Sequence, residues 1–384
     1  MPLPCAARRS GSSKSERGRK GLSPRQRAAL AARSRRREHA RVDGLPCNGG
    51  DVFIGPGSKE LIFLLQLIFD GDLVLPSPSW VTYAPQAAIL KKPVHWLPTS
   101  GTNGWRLMPD TLDDLGRRHP GRPFLVILNY PCNPTGLTYS PAHLEALGNV
   151  ARKHRMTIIS DEIYGKLDHA GRHHSISSYY PEGTIVSAGL SKWCGAGGWR
   201  LGTFLFPREL RPLLEAMTTV ASETFTAVSA PIQFAAVRAY QGGPEIDDYL
   251  HRSRRILSAL GRHCASRLQD VGASVDTPEG AFYLFPDLSP LAEALRTRSI
   301  VTSQDLCERL LDETGVAMLP GSVFGRAADE MTVRLAYVDF NGEEALREVA
   351  QATAEAPLSD AFLKKQCGAV VQAIDRLCDW LQAA

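Results

Sequence analysis

Residues 184–207 read TIVSAGLSKWCGAGGWRLGTFLFP, in which two apolar runs enclose one lysine, a glycine-rich segment and one arginine. The runs at 184–189 and 201–207 are short and rich in β-branched or aromatic residues, so each predicts a buried strand. Lys192 follows the first run, and Arg200 directly precedes the second. The stretch therefore predicts a lysine and an arginine that a glycine-rich turn holds at the edge of a sheet.

Four further apolar runs lie on the N-terminal side of this stretch: DLVLPS (72–77), PVHWLP (93–98), PFLVILNY (123–130) and MTIISD (156–161). The last two enclose SPAHLEALGNVARKHR (140–155), whose apolar residues repeat at helical spacing. Ser140 is predicted as the N-cap of this helix and Pro141 as its first residue. Apolar strands joined by helices are typical of a mostly parallel sheet that is covered on both faces, so we predict an α/β fold.

The pattern changes after about residue 240. A long charged helical segment (246–269) leads to GAFYLFPDL (280–288) and TVRLAYVDF (332–340), and the segment 360–381 has the spacing of one amphipathic helix. We predict a large domain over residues 49–240 and a smaller α+β domain over residues 241–384. Residues 1–48 form a separate, basic arm.

That arm contains 13 Lys or Arg and 3 Asp or Glu, although the formal charge of the whole chain is only +4. Basic segments of this kind can contact nucleic acid or direct a protein to an organelle. Because Gly, Ser and Arg dominate and the apolar periodicity is weak, the composition favours a solvated, poorly ordered arm. We therefore expect no nucleic-acid partner.

The overall composition is that of a globular protein, with 384 residues of which 43% are hydrophobic and 22% charged. The longest apolar run, 61–69, is interrupted by Gln66 and is far shorter than the roughly 20 residues of a membrane span. The eight cysteines form no CxxC pair, which favours a reduced, cytoplasmic compartment. His169 and His173 lie four residues apart in a predicted loop, so we expect no metal site there.

Candidate site residues stand just beyond the predicted strands, where open parallel sheets bind their ligands. In chain order they are Ser79 and Trp80, Asn133, Asp161 and Tyr164, and Lys192. Each has an ordinary structural explanation when taken singly, such as a turn, a helix cap or a core position. Their common position at strand ends predicts that they form one site.

A further candidate is GPGSKE (55–60), which opens the apolar helical run ELIFLLQLIF. A glycine-rich turn at a helix N-terminus offers free N–H groups, so Gly57, Ser58 and Lys59 suit a phosphate. The stretch lacks the GxxxxGK[ST] spacing of nucleotide triphosphate sites.

The remaining candidates suit a flat, charged ring that carries an aldehyde. Trp80 supplies a surface for stacking, and a carboxylate such as Asp161 keeps a ring nitrogen protonated. Asn133 and Tyr164 can donate to a phenolate-like oxygen, and a desolvated Lys192 can form a Schiff base with an aldehyde. Together with a phosphate, these requirements describe pyridoxal phosphate.

From about Asp51 to Leu381 the chain resembles the class I/II pyridoxal-phosphate-dependent aminotransferases, which have the aspartate aminotransferase fold, fold type I. The matching segments are GPGSKELIF, SPSWVTY, NYPCNPTG, SDEIYG, GLSKWCGAGGWRLG, GAFYLFP, LPGSVFG and VRLAY. The resemblance implies a three-layer α-β-α large domain, a homodimer, and cis peptide bonds before Pro78 and Pro134.

The resemblance also implies a role for each matching residue. Lys192 would form the Schiff base and move the substrate proton, and Asp161 would pair with the ring nitrogen. Tyr164 and Asn133 would hydrogen-bond the ring oxygen, and Trp80 would stack on the ring.

The remaining matching residues would hold the cofactor phosphate and the substrate α-carboxylate. Ser58, the N–H groups of Gly57 and Lys59, and Arg200 would hold the phosphate. Arg334, assisted by Asn133, would bind the substrate α-carboxylate through a bidentate pair.

Two departures from the family pattern stand out. Family members carry a longer segment before the GPGSK-like turn, including a tyrosine that reaches the neighbouring subunit's phosphate. Only 54 residues precede Gly55 here, so we predict a truncated or atypical N-terminal region. Gly189 replaces a phosphate-binding serine of many relatives, a role that Ser187 or Ser191 could partly take.

We therefore predict a transaminase that moves an amino group from an L-amino acid to a 2-oxo acid by a ping-pong Schiff-base mechanism. One alternative is a pyridoxal-phosphate-dependent lyase that performs β-elimination on the same fold. Others are a catalytically impaired member with a short N-terminus and a cofactor-binding regulator whose basic arm contacts DNA.

Overall fold

The computed structural model of the protein describes residues 49–353 and 356–383. The predicted basic arm, residues 1–48, lies outside the described residues.

Seven strands form the larger sheet of the described chain. They are β1 Val52–Gly55, β2 Asp72–Ser77, β3 Val94–Pro98, β4 Phe124–Asn129, β5 Thr157–Asp161, β6 Thr184–Gly189 and β7 Gly202–Leu205. Their order is β1-β7-β6-β5-β4-β2-β3, and only β7 runs antiparallel to its neighbours. This confirms the predicted α/β class and the six predicted strands. The pattern did not predict β1, because VFIG is a very short apolar run beside a glycine-rich turn.

The α-helices of the described residues number twelve. They are α1 Ser58–Ile68, α2 Tyr83–Ile89, α3 Pro109–Arg118, α4 Pro141–Lys153, α5 Arg211–Ser222, α6 Ala230–Gln241, α7 Pro244–Asp270, α8 Ala292–Thr297, α9 Ser303–Thr314, α10 Gly342–Val349, α11 Asp360–Gln366 and α12 Gly368–Gln382. The predicted start of α4 is confirmed, since the Ser140 hydroxyl accepts a hydrogen bond from the His143 backbone N–H (3.3 Å) and Pro141 is the first helical residue.

Helices cover both faces of the large sheet because side chains alternate along each strand. Leu73 and Leu75 of β2 pack in one apolar cluster with α1, α2 and α5. Val74, which lies between them, packs on the other face in a cluster with α3 and α4. All three side chains are buried, and burying each contributes about 1.5–3 kcal/mol.

A second, three-stranded sheet lies in the C-terminal half of the chain. It consists of β8 Tyr283–Leu284, β9 Leu319–Pro320 and β10 Val333–Ala336, with β10 in the centre and antiparallel to both neighbours. One apolar cluster joins this sheet and α7 to the segment after β6, since it contains Trp193 as well as Leu335. The division into domains at residue 240 stays a prediction.

The prediction of one helix over residues 360–381 is wrong. The segment forms two helices, α11 and α12, because the backbone at Cys367 (φ −119°, ψ 26°) leaves helical geometry and Gly368 follows it. Among the described helices, none has the length and apolar character needed to cross a membrane.

Candidate functional site

A cavity of about 410 Å³ opens where the carboxyl ends of the large-sheet strands face the small sheet. Its volume is in the usual range for small-ligand sites. Nine of the eleven predicted site residues line it. Gly57 lies directly before Ser58, and Ser79 is buried and does not line this cavity. The lining residues are Ser58, Lys59, Trp80, Tyr83, Asn129, Asn133, Asp161, Ile163, Tyr164, Ser191, Lys192, Gly197, Arg200, Tyr283 and Arg334.

Asp161 is the last residue of β5, and its carboxylate is buried at the inner end of the cavity. The Tyr83 hydroxyl donates to Oδ2 (2.7 Å), and the Ser187 hydroxyl donates to Oδ1 (3.1 Å). Burial raises the pKa of Asp161 to about 6, although both hydrogen bonds act in the opposite direction. A cation placed against this carboxylate would favour its ionised form.

Lys192 lies in the turn that follows β6, and its ammonium group is 5.6 Å from the centroid of the Tyr164 ring. Burial lowers the pKa of Lys192, and the nearby cations Arg334, Arg200 and Lys59 lower it further, while Asp161 acts against them. The amine is therefore unprotonated more readily than that of an exposed lysine.

The turn before α1 has the geometry of an anion site. Gly57 has φ +99°, a conformation that favours glycine, and Ser58 begins the helix, whose first N–H groups have no intrahelical partner. Gly202 of β7 lets this turn approach, because a Cβ there would lie 2.4 Å from the Ser58 nitrogen. The Arg200 guanidinium also contacts this turn, because it donates a hydrogen bond to the Pro56 carbonyl (3.2 Å).

Trp80 forms part of the outer wall of the cavity. Its ring contacts the Tyr83 ring edge-on, with centroids 5.2 Å apart, and the Lys59 ammonium lies 5.3 Å from its centroid. Lys59 therefore brings its side chain to the cavity in addition to its backbone N–H.

Arg334 reaches the cavity from β10 of the small sheet. Its Nη1 donates to Asn133 Oδ1 (3.1 Å), and its guanidinium stacks on the Tyr283 ring, 4.9 Å from the centroid. Its Nε is buried and has no hydrogen-bond partner among the described residues. Burial lowers the pKa of Arg334, but an arginine remains charged at neutral pH. A half-buried cation with an unused N–H is suited to a planar anion such as a carboxylate.

Tyr164 also lines the cavity, and its hydroxyl oxygen is 2.9 Å from that of Tyr283. Burial raises the pKa of Tyr164 well above its usual value, and Tyr283 and Asp161 raise it further. The phenol therefore stays protonated and can donate a hydrogen bond.

Two tyrosines that line the cavity, Tyr83 and Tyr283, were not assigned a role from the sequence. Tyr83 is three residues after Trp80, so a helical turn brings the two to the same side, and that spacing was a usable signal. Tyr283 belongs to a two-residue strand, and no local pattern indicated that it would reach Tyr164.

Asn129 was missed as well, although it is the last residue of β4. Its Nδ2 donates to the Asp161 carbonyl (2.8 Å), and its Oδ1 accepts from the Asn133 backbone N–H (2.8 Å). Its position at a strand end was the signal that could have identified it.

The prediction of cis bonds is half right. The bond before Pro78 is cis, but the second cis bond precedes Pro131 and not Pro134. In the NYPCNPTG segment the chain turns at Cys132–Gly136, where the Gly136 N–H donates to the Cys132 carbonyl (2.8 Å).

Gly189 is explained by packing, because a Cβ at this position would lie 2.8 Å from the Leu201 carbonyl oxygen and a serine would not fit. The Ser187 hydroxyl donates to Asp161 (3.1 Å). Ser191 lines the cavity.

The two predicted loop histidines lie away from the cavity. His169 contacts the carbonyls of Pro278 (3.1 Å) and Ala281 (3.2 Å), and His173 Nε2 is 3.0 Å from the Glu162 carboxylate. Across residues 49–353 and 356–383, no group of three or more His, Cys, Asp or Glu has the geometry of a metal site.

Known proteins of one enzyme family are similar to this chain. The family model described as aminotransferase class I and II matches residues 2–352. Aspartate aminotransferase of Geobacillus stearothermophilus is 33% identical over 308 residues, which cover 78% of this chain and 75% of that protein. Aspartate/prephenate aminotransferase of Thermus thermophilus is 31% identical, covering 85% of this chain and 79% of that protein.

Solved structures give the same result. Aspartate aminotransferase from Thermus thermophilus with maleate superposes with a TM-score of 0.74 at 27% identity, covering 91% of this chain and 81% of that one. Aromatic aminotransferase from Pyrococcus horikoshii OT3 superposes with a TM-score of 0.75 at 26% identity, covering 92% and 86%. These overlaps confirm the fold class predicted from the sequence.

Proposed function

Because this chain belongs to the class I and II aminotransferase family, we propose that Lys192, Asp161 and Arg334 form the centre of its active site, with pyridoxal phosphate as the cofactor. The chain is an aminotransferase, which moves an amino group from an amino acid to a 2-oxo acid. One observation carries the proposed site: an amine, a buried carboxylate and a guanidinium with an unused N–H face the same cavity.

The residues present fit the cofactor at both of its ends. The glycine turn before α1, made possible by the close approach of Gly202, and the Arg200 guanidinium provide N–H groups and positive charge for a phosphate. Asp161, buried at the other end, would hold the ring-nitrogen proton. Tyr164 and Asn133 would donate to the ring oxygen.

When bound, the cofactor supplies an aldehyde that takes up the amino group and a protonated ring that draws electrons from the substrate α-carbon. Burial lowers the pKa of Lys192, which leaves more of its amine free to take the α-proton at neutral pH. Arg334 would bind the α-carboxylate, and its contacts with Asn133 and Tyr283 hold the guanidinium in one plane.

We further propose that the preferred donor has a second carboxylate, as aspartate does. If Arg200 and the helix N-terminus take the phosphate and Arg334 takes the α-carboxylate, the Lys59 ammonium remains on the cavity wall with no assigned anion. Lys59 is placed to bind a carboxylate on the substrate side chain. The aspartate aminotransferases among the relatives support this choice.

We also propose a cytoplasmic homodimer. The support for the compartment is that the six cysteines of the described residues are all free thiols. The support for a dimer is that Leu67 of α1, Ile89 of α2 and Trp199, beside Arg200, are large apolar side chains left exposed. Sedimentation velocity at micromolar concentration should give twice the chain mass of 41.9 kDa.

The proposed site is tested by covalent attachment of the cofactor to Lys192 and by the activity of a Lys192→Ala variant. After incubation with pyridoxal phosphate and reduction by borohydride, peptide mass spectrometry should find the cofactor attached to Lys192. Lys192→Ala should lower transamination by about 10³-fold or more, since it removes both the attachment point and the base. Lys153→Ala, which removes an exposed lysine paired with Asp113, is the control and should retain activity.

Attachment at another lysine, or an active Lys192→Ala variant, would contradict the proposed site. Release of ammonia and pyruvate from an amino acid without any 2-oxo acid acceptor would instead indicate a β-eliminating lyase.

The choice of donor is tested at Lys59. Lys59→Met keeps a long apolar stem that can pack on Trp80 but removes the charge. The variant should lose about 10-fold or more in kcat/KM for aspartate and little for alanine, because only aspartate loses a charge pair. An equal loss for both donors would assign Lys59 to the cofactor phosphate and not to the substrate side chain.

A further inference from the structure

Tyr283 is the point at which three separate parts of the cavity wall meet. It lies on β8, opposite Ala336 of β10 in the small sheet, and its side chain is buried. The residues it contacts come from the segment after β5, from the NPTG turn and from β10. The one role given to Tyr283 so far is its contact with the Arg334 guanidinium.

The hydroxyl of Tyr283 contacts the cofactor side of the site. Its oxygen is 2.9 Å from the Tyr164 oxygen, and either hydroxyl can donate the hydrogen bond. The two rings meet edge-on, with centroids 5.7 Å apart. A buried phenol with one fixed partner has few rotamers for its O–H, so this contact directs the remaining hydrogen-bonding capacity of Tyr164.

The ring of Tyr283 contacts the substrate side of the site. The Arg334 guanidinium lies over its face, 4.9 Å from the centroid, and Phe324 packs against the same guanidinium at 5.2 Å. A cation stacked on an aromatic face is held in a defined plane, which matters for an arginine that must bind a carboxylate with two parallel N–H groups.

The backbone of Tyr283 is fixed by the NPTG turn. Gly136 has φ +73°, and a Cβ on it would lie 2.4 Å from the Tyr283 carbonyl oxygen. The Gly136 carbonyl accepts the backbone N–H groups of Glu279 (2.8 Å) and Gly280 (2.9 Å), which fasten the segment before β8 to the turn. The turn that carries Asn133 therefore sets where Tyr283 stands.

We propose that Tyr283 is a positioning residue with two separable functions: its hydroxyl holds Tyr164 for the cofactor, and its ring holds Arg334 for the substrate carboxylate. The inference rests on the proposed function, because it assumes those two roles for Tyr164 and Arg334. It predicts that the two functions fail independently when the hydroxyl or the ring is removed.

The test compares Tyr283→Phe with Tyr283→Leu in the full chain. Affinity for pyridoxal phosphate is measured by quenching of tryptophan fluorescence, and affinity of the loaded protein for succinate, which has two carboxylates but no amine, by calorimetry. Tyr283→Phe should weaken cofactor binding about three- to tenfold, the value of one hydrogen bond, and leave the Kd for succinate within about twofold. Tyr283→Leu should also raise the Kd for succinate and the KM for amino donors by about fivefold, because the stacked ring is lost.

The matched control is Tyr180→Phe, which removes a buried hydroxyl that donates to the Met156 carbonyl (2.9 Å) beside the opposite end of β5. It should lower the melting temperature without changing either Kd. The inference is overturned if Tyr283→Phe changes neither Kd, or if Tyr283→Phe and Tyr283→Leu raise the Kd for succinate equally. If Tyr283→Leu does not fold, the Phe variant still decides whether the hydroxyl serves the cofactor alone.

A failure of the proposed function has a different signature. In that case Arg334→Met would leave the Kd for succinate unchanged, whatever the Tyr283 variants do. A normal loss in Arg334→Met, combined with Tyr283 variants that behave like the wild type, would contradict the inference alone.

Discussion

The cavity has two walls, a large-sheet wall that carries Asp161 and a small-sheet wall that carries Arg334. These two charged side chains differ in how fully their hydrogen bonds are satisfied. On the large-sheet wall, the Asp161 carboxylate accepts hydrogen bonds from Tyr83 and Ser187 on its two oxygens. On the small-sheet wall, the Arg334 guanidinium donates to Asn133 but keeps a buried Nε without a partner in the described part of the chain. The Asp161 carboxylate is thus hydrogen-bonded without a ligand, whereas the Arg334 guanidinium needs an anion to complete its hydrogen bonds.

The largest effect that this comparison predicts is a separation of activity from stability at Arg334. Arg334→Met should lower kcat/KM for amino donors by about 10²- to 10³-fold, because a bidentate, charge-assisted pair with the α-carboxylate is lost. Yet it should not lower the free energy of unfolding by more than about 1 kcal/mol, since the lost group is a half-buried cation whose hydrogen bonds are only partly satisfied. Steady-state kinetics and chemical denaturation measure the two quantities.

Arg334→Lys is the control for charge, because it keeps the cation but not the planar fork. It should recover only part of the loss in kcat/KM. An Arg334→Met variant that is destabilised by several kcal/mol would show that the Arg334 guanidinium is already as well satisfied as the Asp161 carboxylate.

The second prediction concerns pH and the Asp161 carboxylate. Its pKa in the folded protein is raised by burial from 3.8 to about 6, so the folded chain keeps a proton that the unfolded chain releases between these values. Folding stability from this group is therefore present below about pH 4 and is lost as the pH rises through 6. Relative to Asp161→Asn, the cofactor-free wild type should lose up to about 3 kcal/mol of unfolding free energy between pH 4 and pH 7.

Urea denaturation of both proteins across this pH range measures the difference. Because asparagine does not titrate, the comparison cancels the other ionisable groups. A difference that stays constant with pH would mean that Tyr83 and Ser187 fully offset the effect of burial on the Asp161 pKa.

The same two walls separate what the sequence could predict from what it could not. Asp161 ends one apolar run and Lys192 follows another by three residues. Because the carboxyl ends of parallel strands share one edge, a local pattern was enough to bring them together. Arg334 was identified only through the family resemblance. It reaches the cavity on a strand of four residues, whose pairing with the two-residue strands β8 and β9 is set by tertiary packing and leaves no periodic signal.

The errors have two origins. Tyr283 was missed because its partner Tyr164 is 119 positions away in the chain. The break at Cys367 was missed because the apolar spacing continues across it, and a buried cysteine followed by glycine has no strong helix-ending pattern. The strands and the residues at their ends were predictable from periodicity, whereas contacts between distant, short elements were not.

The smallest predicted effect uses Tyr337, which lies three residues after Arg334 and also has a buried polar atom without a hydrogen-bond partner in the described residues. Its hydroxyl is not at the cavity: it packs against α7, where a Cβ on Gly261 would lie 2.7 Å from it. A hydroxyl buried without a partner destabilises the fold. Tyr337→Phe should therefore leave kcat/KM unchanged and keep or raise the free energy of unfolding by about 1 kcal/mol.

Thermal and urea unfolding of Tyr337→Phe and Arg334→Met compare the two buried polar atoms, the Tyr337 hydroxyl and the Arg334 Nε. If each gains or keeps stability but only Arg334→Met loses activity, then a missing partner marks a ligand site only where the atom faces a cavity. If Tyr337→Phe is instead destabilised by more than about 1 kcal/mol, its hydroxyl has a partner such as a buried water, and the interior between α7 and the small sheet is more polar than its side chains indicate.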